Sequence, residues 1–240
     1  KKLLLGLLLI SSVLSFGATQ RVGIEKLVTN ESRDTLYLEE TKKPYSGEVE
    51  RKYPDGKLLG IATVKDGKFN GKSYEYYENG KLKIEENYVN GKSEGVSKVF
   101  YPNGKVKYET PYKNDKKEGV EKFYSENGIL MSVVPYKNGE ANGLAKFYNE
   151  QTGKLEYETS AVNGQRNGLS KKYYPSGKLL SEVNFKNDKE EGMMKSYYES
   201  GKLQGEIPYK NGQVEGVVKA YDENGKLIEQ ATFKNGEEVK

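Results

Sequence analysis

Lysine and aromatic residues recur together along this chain, two positions apart in successive segments of similar length. An ammonium group and an aromatic ring offer the chemistry of binding rather than of bond making. Either the lysine stems lie over the rings with the ammonium groups in water, or the surface is an open cationic and aromatic groove. The rings either hold neighbouring hairpins together or stack on a ligand. These residues form the candidate binding surface, called here the lysine-tyrosine surface: Lys98, Phe100, Lys122, Tyr124, Lys146, Tyr148, Lys171, Tyr173, Lys195, Tyr197, Lys219 and Tyr221.

Catalytic chemistry has few residue types to work with. The chain contains neither histidine nor cysteine, which excludes Ser-His and Cys-His nucleophile pairs and imidazole metal sites. Adjacent carboxylates such as Glu85 and Glu86 point to opposite faces of a strand, so they do not form an acid-base pair. The few aspartates match no calcium-binding loop. We therefore expect no enzymatic activity, no catalytic residue, no cofactor and no metal site.

The first residues are typical of an export signal. Two lysines precede an apolar stretch from Leu3 to Leu14 that is too short to span a bilayer. The small residues Ser15 and Gly17 favour cleavage after Gly17, so we expect a signal peptide at residues 1–17. The mature protein should be exported, to the periplasm, the cell surface or the medium.

The charge of the mature chain is nearly balanced. Removal of the two leader lysines leaves 37 basic residues against 35 acidic residues. This balance gives no basic footprint for nucleic acid, so we expect no nucleic acid partner. It also gives little electrostatic attraction to anionic lipid, so we expect only weak membrane contact.

Glycine defines an internal repeat of about 24 residues. A period of this size is typical of stacked supersecondary units. One extra residue falls within residues 149–153, where a turn absorbs the insertion. We expect an N-terminal segment and capping hairpin at 18–46, followed by eight repeats at 47–240. Each repeat is numbered from its opening glycine as position 0: Gly47, Gly71, Gly95, Gly119, Gly143, Gly168, Gly192 and Gly216.

The turn residues predict one hairpin in each repeat. In repeat three, residues 101–105 read Tyr-Pro-Asn-Gly-Lys. Proline favours a type I turn and glycine tolerates the left-handed conformation, which together indicate a three-residue loop with a G1 bulge. Counting back from this loop pairs Phe100 with Val106, and Val96 with Thr110. The sequence therefore predicts an all-β fold, an elongated antiparallel meander of stacked β-hairpin repeats in one open array.

This register assigns residues to the two faces of the sheet. Positions +1, +5, +11 and +17, which are mostly apolar, fall on one face together with the lysines at +3. We expect these lysines to form a ladder of like charge about 10 Å apart. The glutamates at +14, such as Glu109, are expected on the opposite face. Proline at +16 cannot donate to the next strand, so pairing should stop or bulge at Pro111, Pro135 and Pro208.

The repeat also resembles a known family. Repeat two, Gly71 to Glu94, reads Tyr-Tyr-Glu-Asn-Gly-Lys-Leu at 76–82 and Tyr-Val-Asn-Gly-Lys at 88–92. These residues resemble the MORN variant repeat of bacterial proteins classed as YwqK-family antitoxins, and the likeness runs from about Leu36 to the C terminus. The resemblance implies an elongated meander of hairpins used for binding, with toxin neutralisation attached to some members. Repeat five departs from the pattern with Ala161 in place of the aromatic residue at +17.

Two functions follow from these features. The leading hypothesis is a non-enzymatic, exported scaffold that binds a protein, such as a secreted toxin or another envelope component. Export separates this chain from an antitoxin that meets its toxin in the cytosol. The alternative is a cell-envelope module that recognises wall glycan or lipid. Glucan-binding hairpin repeats rely on tryptophan, which this chain lacks.

Overall fold

The computed structural model describes residues 20–239 of the chain. The predicted signal peptide lies outside these residues. A 3₁₀ turn spans Ile24–Lys26, and the other regular elements of the described part are strands. The strands are β1 Arg21–Gly23, β2 Leu27–Thr29, β3 Leu36–Leu38, β4 Gly47–Lys52, β5 Leu58–Lys65, β6 Lys68–Tyr76, β7 Leu82–Val89, β8 Lys92–Ser93, β9 Gly95–Phe100, β10 Val106–Lys113, β11 Lys116–Lys117, β12 Gly119–Tyr124, β13 Leu130–Lys137, β14 Glu140–Ala141, β15 Gly143–Tyr148, β16 Leu155–Val162, β17 Gln165–Tyr173, β18 Leu179–Lys186, β19 Lys189–Tyr197, β20 Leu203–Lys210, β21 Gln213–Val214, β22 Gly216–Tyr221, β23 Leu227–Lys234 and β24 Glu237–Val239.

Consecutive hairpins form one long open sheet. Each repeat contributes an antiparallel hairpin, from β4 with β5 to β22 with β23, and its second strand pairs with the first strand of the next repeat. The predicted all-β meander is therefore confirmed. Within residues 20–239, no helix is long and apolar enough to cross a membrane.

The sheet begins with a small packed cap. β1 runs parallel to β4 and covers its free edge, and the side chains of Val22, Val49 and Val64 are buried beside Tyr45. The Tyr45 hydroxyl donates to two backbone carbonyls, those of Gln20 at 2.8 Å and Glu48 at 2.9 Å. A cap of this kind is what a repeat array needs at an end where the first unit has no preceding neighbour.

The hairpin turns have the predicted form. The Gly104 amide donates to the Tyr101 carbonyl at 2.8 Å, and the Tyr101 amide donates to the Lys105 carbonyl at 2.8 Å. Gly104 has a φ of 92°, which glycine adopts without steric cost. The inserted residue of repeat five lies in the corresponding turn, which Asn149 closes by donating its amide to the Lys154 carbonyl at 2.9 Å.

One residue changes the pairing beyond the turn. Phe100 pairs with Val106 as predicted, but Val99 then pairs with Tyr108, so that Lys107 is an extra residue in β10. Val96 consequently pairs with Pro111, and its predicted pairing with Thr110 is wrong. The same shift of register follows the turn in every repeat. A bulge of this kind moves all later residues of its strand to the other face.

Because of the bulge, two groups of residues lie on the opposite face from the one predicted from the sequence. Glu109 pairs with Lys98, so the glutamates at +14 lie on the same face as the lysines, and their predicted place on the opposite face is wrong. Tyr112 pairs with Gly95, so the aromatic residues at +17 lie on the other face, and their predicted place beside the lysines is also wrong. We call the face of Lys98 and Glu109 the ladder face. The other face carries Tyr112 and is called the packed face, because buried side chains of the repeats, such as Thr110, Thr159, Ala161, Ser170 and Phe185, lie on it.

Proline interrupts the pairing between repeats, as predicted. After Pro111 the next strand is split into β11 and β12, and the Glu118 amide donates to the Pro111 carbonyl at 3.0 Å. A Cβ atom on Gly119 would lie 3.0 Å from the proline ring. Strand β17, which follows Ser160 at the same position, is continuous. The opening glycine therefore allows neighbouring repeats to approach closely.

Candidate functional site

The ladder face carries a cross-strand row of alternating charge. Glu109 faces Lys98 on one neighbouring strand and Lys122 on the other, with its carboxylate oxygens 3.6 and 3.8 Å from the two ammonium nitrogens. The strand pairing continues this alternation of lysine and glutamate along the array, except at Val133. The row, called the charge ladder, consists of Glu85, Lys98, Glu109, Lys122, Val133, Lys146, Glu158, Lys171, Glu182, Lys195, Glu206 and Lys219.

The tyrosines at +5 are tied to the same ladder. The Tyr173 hydroxyl donates to Glu158 at 2.7 Å, and the Tyr197 hydroxyl donates to Glu182 at 2.9 Å. Tyr124 and Tyr221 make the same contact with the glutamate of the preceding repeat. Burial and the hydrogen bond to Glu158 raise the pKa of Tyr173 to about 12. Each of these bonds joins two repeats.

The structure thus brings the lysines and tyrosines of the lysine-tyrosine surface together on one face, with glutamates between the lysines. The predicted ladder of like charge is wrong, because a carboxylate stands between most successive lysines. The lysine side chains remain partly exposed, as for Lys98 at 40 %. Neighbouring opposite charges stabilise a sheet and leave the row without a net cationic field. The role of this surface in binding stays a prediction.

A second set of tyrosines, at +6 in the turns, also joins repeats. Each hydroxyl donates to the backbone carbonyl of position +5 in the next repeat, as from Tyr101 to Tyr124 at 2.8 Å. The same bond is made by Tyr53, Tyr77, Tyr174 and Tyr198. Repeats four and five have Ser125 and Asn149 at this position, so neither carries the tyrosine that makes this contact.

The packed face carries an aromatic row that does not follow the repeat. Tyr108 stacks on Phe123 with ring centroids 4.8 Å apart, and Phe147 stacks on Tyr157 at 5.7 Å. Ser132 lies between the two pairs, opposite both phenylalanines. We call these four rings the aromatic row. Phe147 is 37 % exposed, so the row is open to solvent at its centre.

A depression of about 440 Å³ continues from the aromatic row into repeats six and seven. Its floor is apolar, with Val183 and Phe185 at the centre, and its rim is polar. The lining residues are Tyr157, Arg166, Ser170, Lys172, Ser181, Val183, Phe185, Glu190, Met194 and Tyr209. An apolar floor with a few polar groups around it is the common form of a binding pocket.

Arg166 is held in place at one end of the depression. Its guanidinium carbon lies 4.0 Å from the centre of the Phe185 ring. Its Nε atom donates to the Asp188 carboxylate at 3.2 Å and its Nη2 atom to the Asp188 carbonyl at 3.1 Å. Hydrogen bonds from the Arg166 backbone amide and side chain lower the pKa of Asp188. The guanidinium is therefore fixed over the ring and does not swing freely.

Lys172 stands at the other end in a different setting from its neighbour Lys171. Lys171 faces Glu158 and Glu182 on the ladder face, whereas Lys172 faces Tyr157 and Ser181 on the packed face. Within residues 20–239, Lys172 makes no ion pair within 4.0 Å. Glu156 lines a neighbouring groove together with Lys172, but it lies beyond ion-pair distance of the ammonium group.

Tyr157 lies beside Lys172, and its surroundings favour the phenolate more than usual. Burial acts to raise its pKa, but hydrogen bonding with Ser170 and Thr159 and the nearby Arg166 outweigh that effect. The pKa of Tyr157 is lowered as a result. A phenol of lowered pKa is a stronger hydrogen-bond donor.

Sequence reasoning missed the aromatic row and the depression, because it followed residues that recur in every repeat. The sequence signal that could have found them is the variation of residue type at position +4. Position +4 is Val99, Phe123, Phe147 and Lys172 in four successive repeats, and Ser196 in the next. Within the described part of the chain, no cluster of acidic side chains has the form of a metal site.

Comparison with known proteins identifies the repeat. The sequence model of the MORN repeat variant matches seven times, at residues 45–66, 69–90, 93–114, 117–138, 166–187, 190–211 and 214–235. Because these matches cover more than half of the chain, it belongs to the MORN repeat variant family. The unmatched stretch between 138 and 166 contains most of repeat five, including its inserted residue and Ala161.

Other comparisons add little. The crystal structures of TcdB2-TccC3-Cdc42 and TcdB2-TccC3-TEV are each 12 % identical to this chain, over 88 % and 87 % of its length, with TM-scores of 0.16 and 0.17. The chain covers only 14 % of each of those chains. At these TM-scores the similarity carries no argument. No curated protein matches the chain significantly.

Proposed function

We propose that this chain is a non-enzymatic binding scaffold that recognises a protein partner through its packed face. The observation that carries the proposal is the aromatic row, in which Phe147 remains exposed although it belongs to no recurring row of the repeat. Exposed aromatic side chains near a depression are typical centres of binding energy in protein interfaces. A regular array then serves to hold these side chains in fixed positions.

The setting of this scaffold is part of the proposal. The leader-like residues support export, and the resemblance to YwqK-family antitoxins supports neutralisation of a toxin. We propose a secreted toxin or another envelope protein as the partner, with recognition outside the cytosol. Nucleic acid has no part in it, because the charge of the chain is nearly balanced.

A second surface competes for this role and must be tested beside the first. The aliphatic residues at +1 on the ladder face are partly exposed, with Val96 at 47 % and Val120 at 44 %. They differ from the aromatic row because they recur in successive repeats. We assign them to the hairpin of their own repeat, where Val120 pairs with Pro135.

Affinity capture from the envelope fraction of the native cell tests the proposal. Residues 20–240 should retain one abundant protein after a moderate-salt wash, and Phe147→Ser should lose it. The matched control is Val120→Ser, which also removes an exposed apolar side chain and should still capture the protein. Loss of capture by the control alone, or capture of wall glycan or lipid without protein, would contradict the proposed function.

A further inference from the structure

We propose that the depression of repeats five to seven binds an acidic segment of the protein partner that carries an aromatic side chain. The inference rests on the proposed function and names the chemistry that the site would recognise. The ring would lie over Val183 beside the Arg166 guanidinium, which covers the buried Phe185 ring, and a carboxylate would pair with Lys172. The following observations carry it.

The volume and the apolar floor of the depression suit an inserted side chain of a partner. Its volume of about 440 Å³ lies in the range of about 300–1,000 Å³ that small-molecule pockets occupy. Val183 and Phe185 give an apolar floor, and Met194 and Tyr209 extend it. An aromatic side chain gains most from such a floor, because it buries a large area and can stack on the Arg166 guanidinium.

The charge of the rim selects an anion. Lys172 has no carboxylate opposite it on either neighbouring strand. Glu190 lines the other end of the depression, where it pairs with Phe185, and Asp188 there is already bonded to Arg166. The ammonium group without an ion pair therefore lies at the Lys172 end, whereas the Tyr157 hydroxyl lies beside Ser170, Thr159 and Arg166. A carboxylate placed there would meet the Lys172 ammonium group, and a charge-assisted hydrogen bond of this kind is stronger than a neutral one.

The depression is also formed before binding. Two hydrogen bonds from the guanidinium to Asp188 hold it over Phe185, and two further bonds join the Arg166 backbone to Asp188. Ser170 and Thr159, which lie under the Tyr157 end, are buried and bonded to each other. A partner would therefore lose little binding energy in ordering the site.

The absence of tryptophan from this chain gives a direct test. The probe is the capped peptide acetyl-Asp-Trp-Asp-amide, titrated with the full mature chain while tryptophan emission is recorded. We expect a saturable blue shift, an affinity about tenfold lower for Lys172→Ala because a charge-assisted bond is lost, and an unchanged affinity for Lys202→Ala, which removes an exposed turn lysine. The control peptide acetyl-Lys-Trp-Lys-amide should not bind.

Three results would overturn the inference: no shift with the wild-type chain up to millimolar peptide, equal binding of the lysine peptide, or an unchanged affinity for Lys172→Ala. The capture experiment separates this failure from failure of the proposed function. A protein captured equally by wild type and Lys172→Ala would leave the scaffold in place and refute the acidic segment. Peptide binding without any captured protein would refute the scaffold instead.

Discussion

The two faces of this sheet have opposite relations to the repeat. On the ladder face, lysine, glutamate and tyrosine recur in step and satisfy one another across the strands, as Lys98, Glu109 and Lys122 do. On the packed face, the aromatic row and Lys172 occur once each, and Lys172 has no carboxylate opposite it. The comparison teaches that recurrence marks the contacts that build the array, whereas departure from recurrence marks the place that is free to bind.

Deletion of whole repeats should have the largest effect that distinguishes the two faces. Deletion of residues 95–118 or of residues 168–191 should leave a folded array, because each repeat contacts mainly its neighbours. Only the second deletion should abolish binding of the acidic peptide, since it removes Lys172 and Phe185. Circular dichroism melts and the fluorescence titration measure the two outcomes.

A half-repeat deletion is the control for the register. Removal of residues 95–106 would place Thr110 instead of Lys98 opposite Glu85 and so break the pairing of charges along the ladder face. We expect this variant to lose its cooperative melt. A half-repeat deletion as stable as the whole-repeat one would show that the register described above does not hold the array together.

High pH should lower the stability that the tyrosine–glutamate hydrogen bonds of the ladder face contribute. Tyr173 ionises near 10 in the unfolded chain and near 12 when folded, so the folded state binds the proton more tightly. The resulting stability is fully present below pH 10 and is lost as the pH rises toward 12. Urea unfolding across this range should show a falling free energy of unfolding, with a smaller fall for Tyr173→Phe. An identical dependence of the free energy of unfolding on pH in the two proteins would show that the Tyr173 phenol does not contribute to it.

The weakest joint lies between repeats four and five, where Val133 replaces the ladder glutamate between Lys122 and Lys146. Val133→Glu should raise the free energy of unfolding by about 0.5 kcal/mol, as exposed ion pairs do. Val134→Glu is the matched control, because the next residue faces Glu121 on the packed face and should be destabilised by like charge. Equal effects of the two variants would contradict the assignment of the faces.

Much of the fold could be predicted from the sequence. Glycine and proline at fixed positions determined the hairpins and their turns, because few other residues adopt those conformations. The face assignment failed at Lys107, since a bulged residue carries no distinctive side chain. Charge offered the missing signal: a register that brings the lysines at +3 opposite the glutamates at +14 is more stable than one that separates them.

The candidate site was less accessible to sequence reasoning. The residues that recur most regularly, including Tyr173 and Lys171, drew attention because their pattern was strong. Lys172 and Phe147 differ from their counterparts in other repeats, and a departure of this kind gains meaning only when the fold shows which neighbours it meets.

The most direct measurement compares Glu109→Ala with Lys172→Ala, each by urea unfolding and by titration with the acidic peptide. We expect Glu109→Ala to lose about 1 kcal/mol of unfolding free energy, because its carboxylate contacts Tyr124 and two lysines, and to keep its affinity for the peptide. Lys172→Ala should keep its stability within about 0.5 kcal/mol and lose about tenfold in affinity. If both variants changed stability and affinity together, the separation of the two faces would be contradicted.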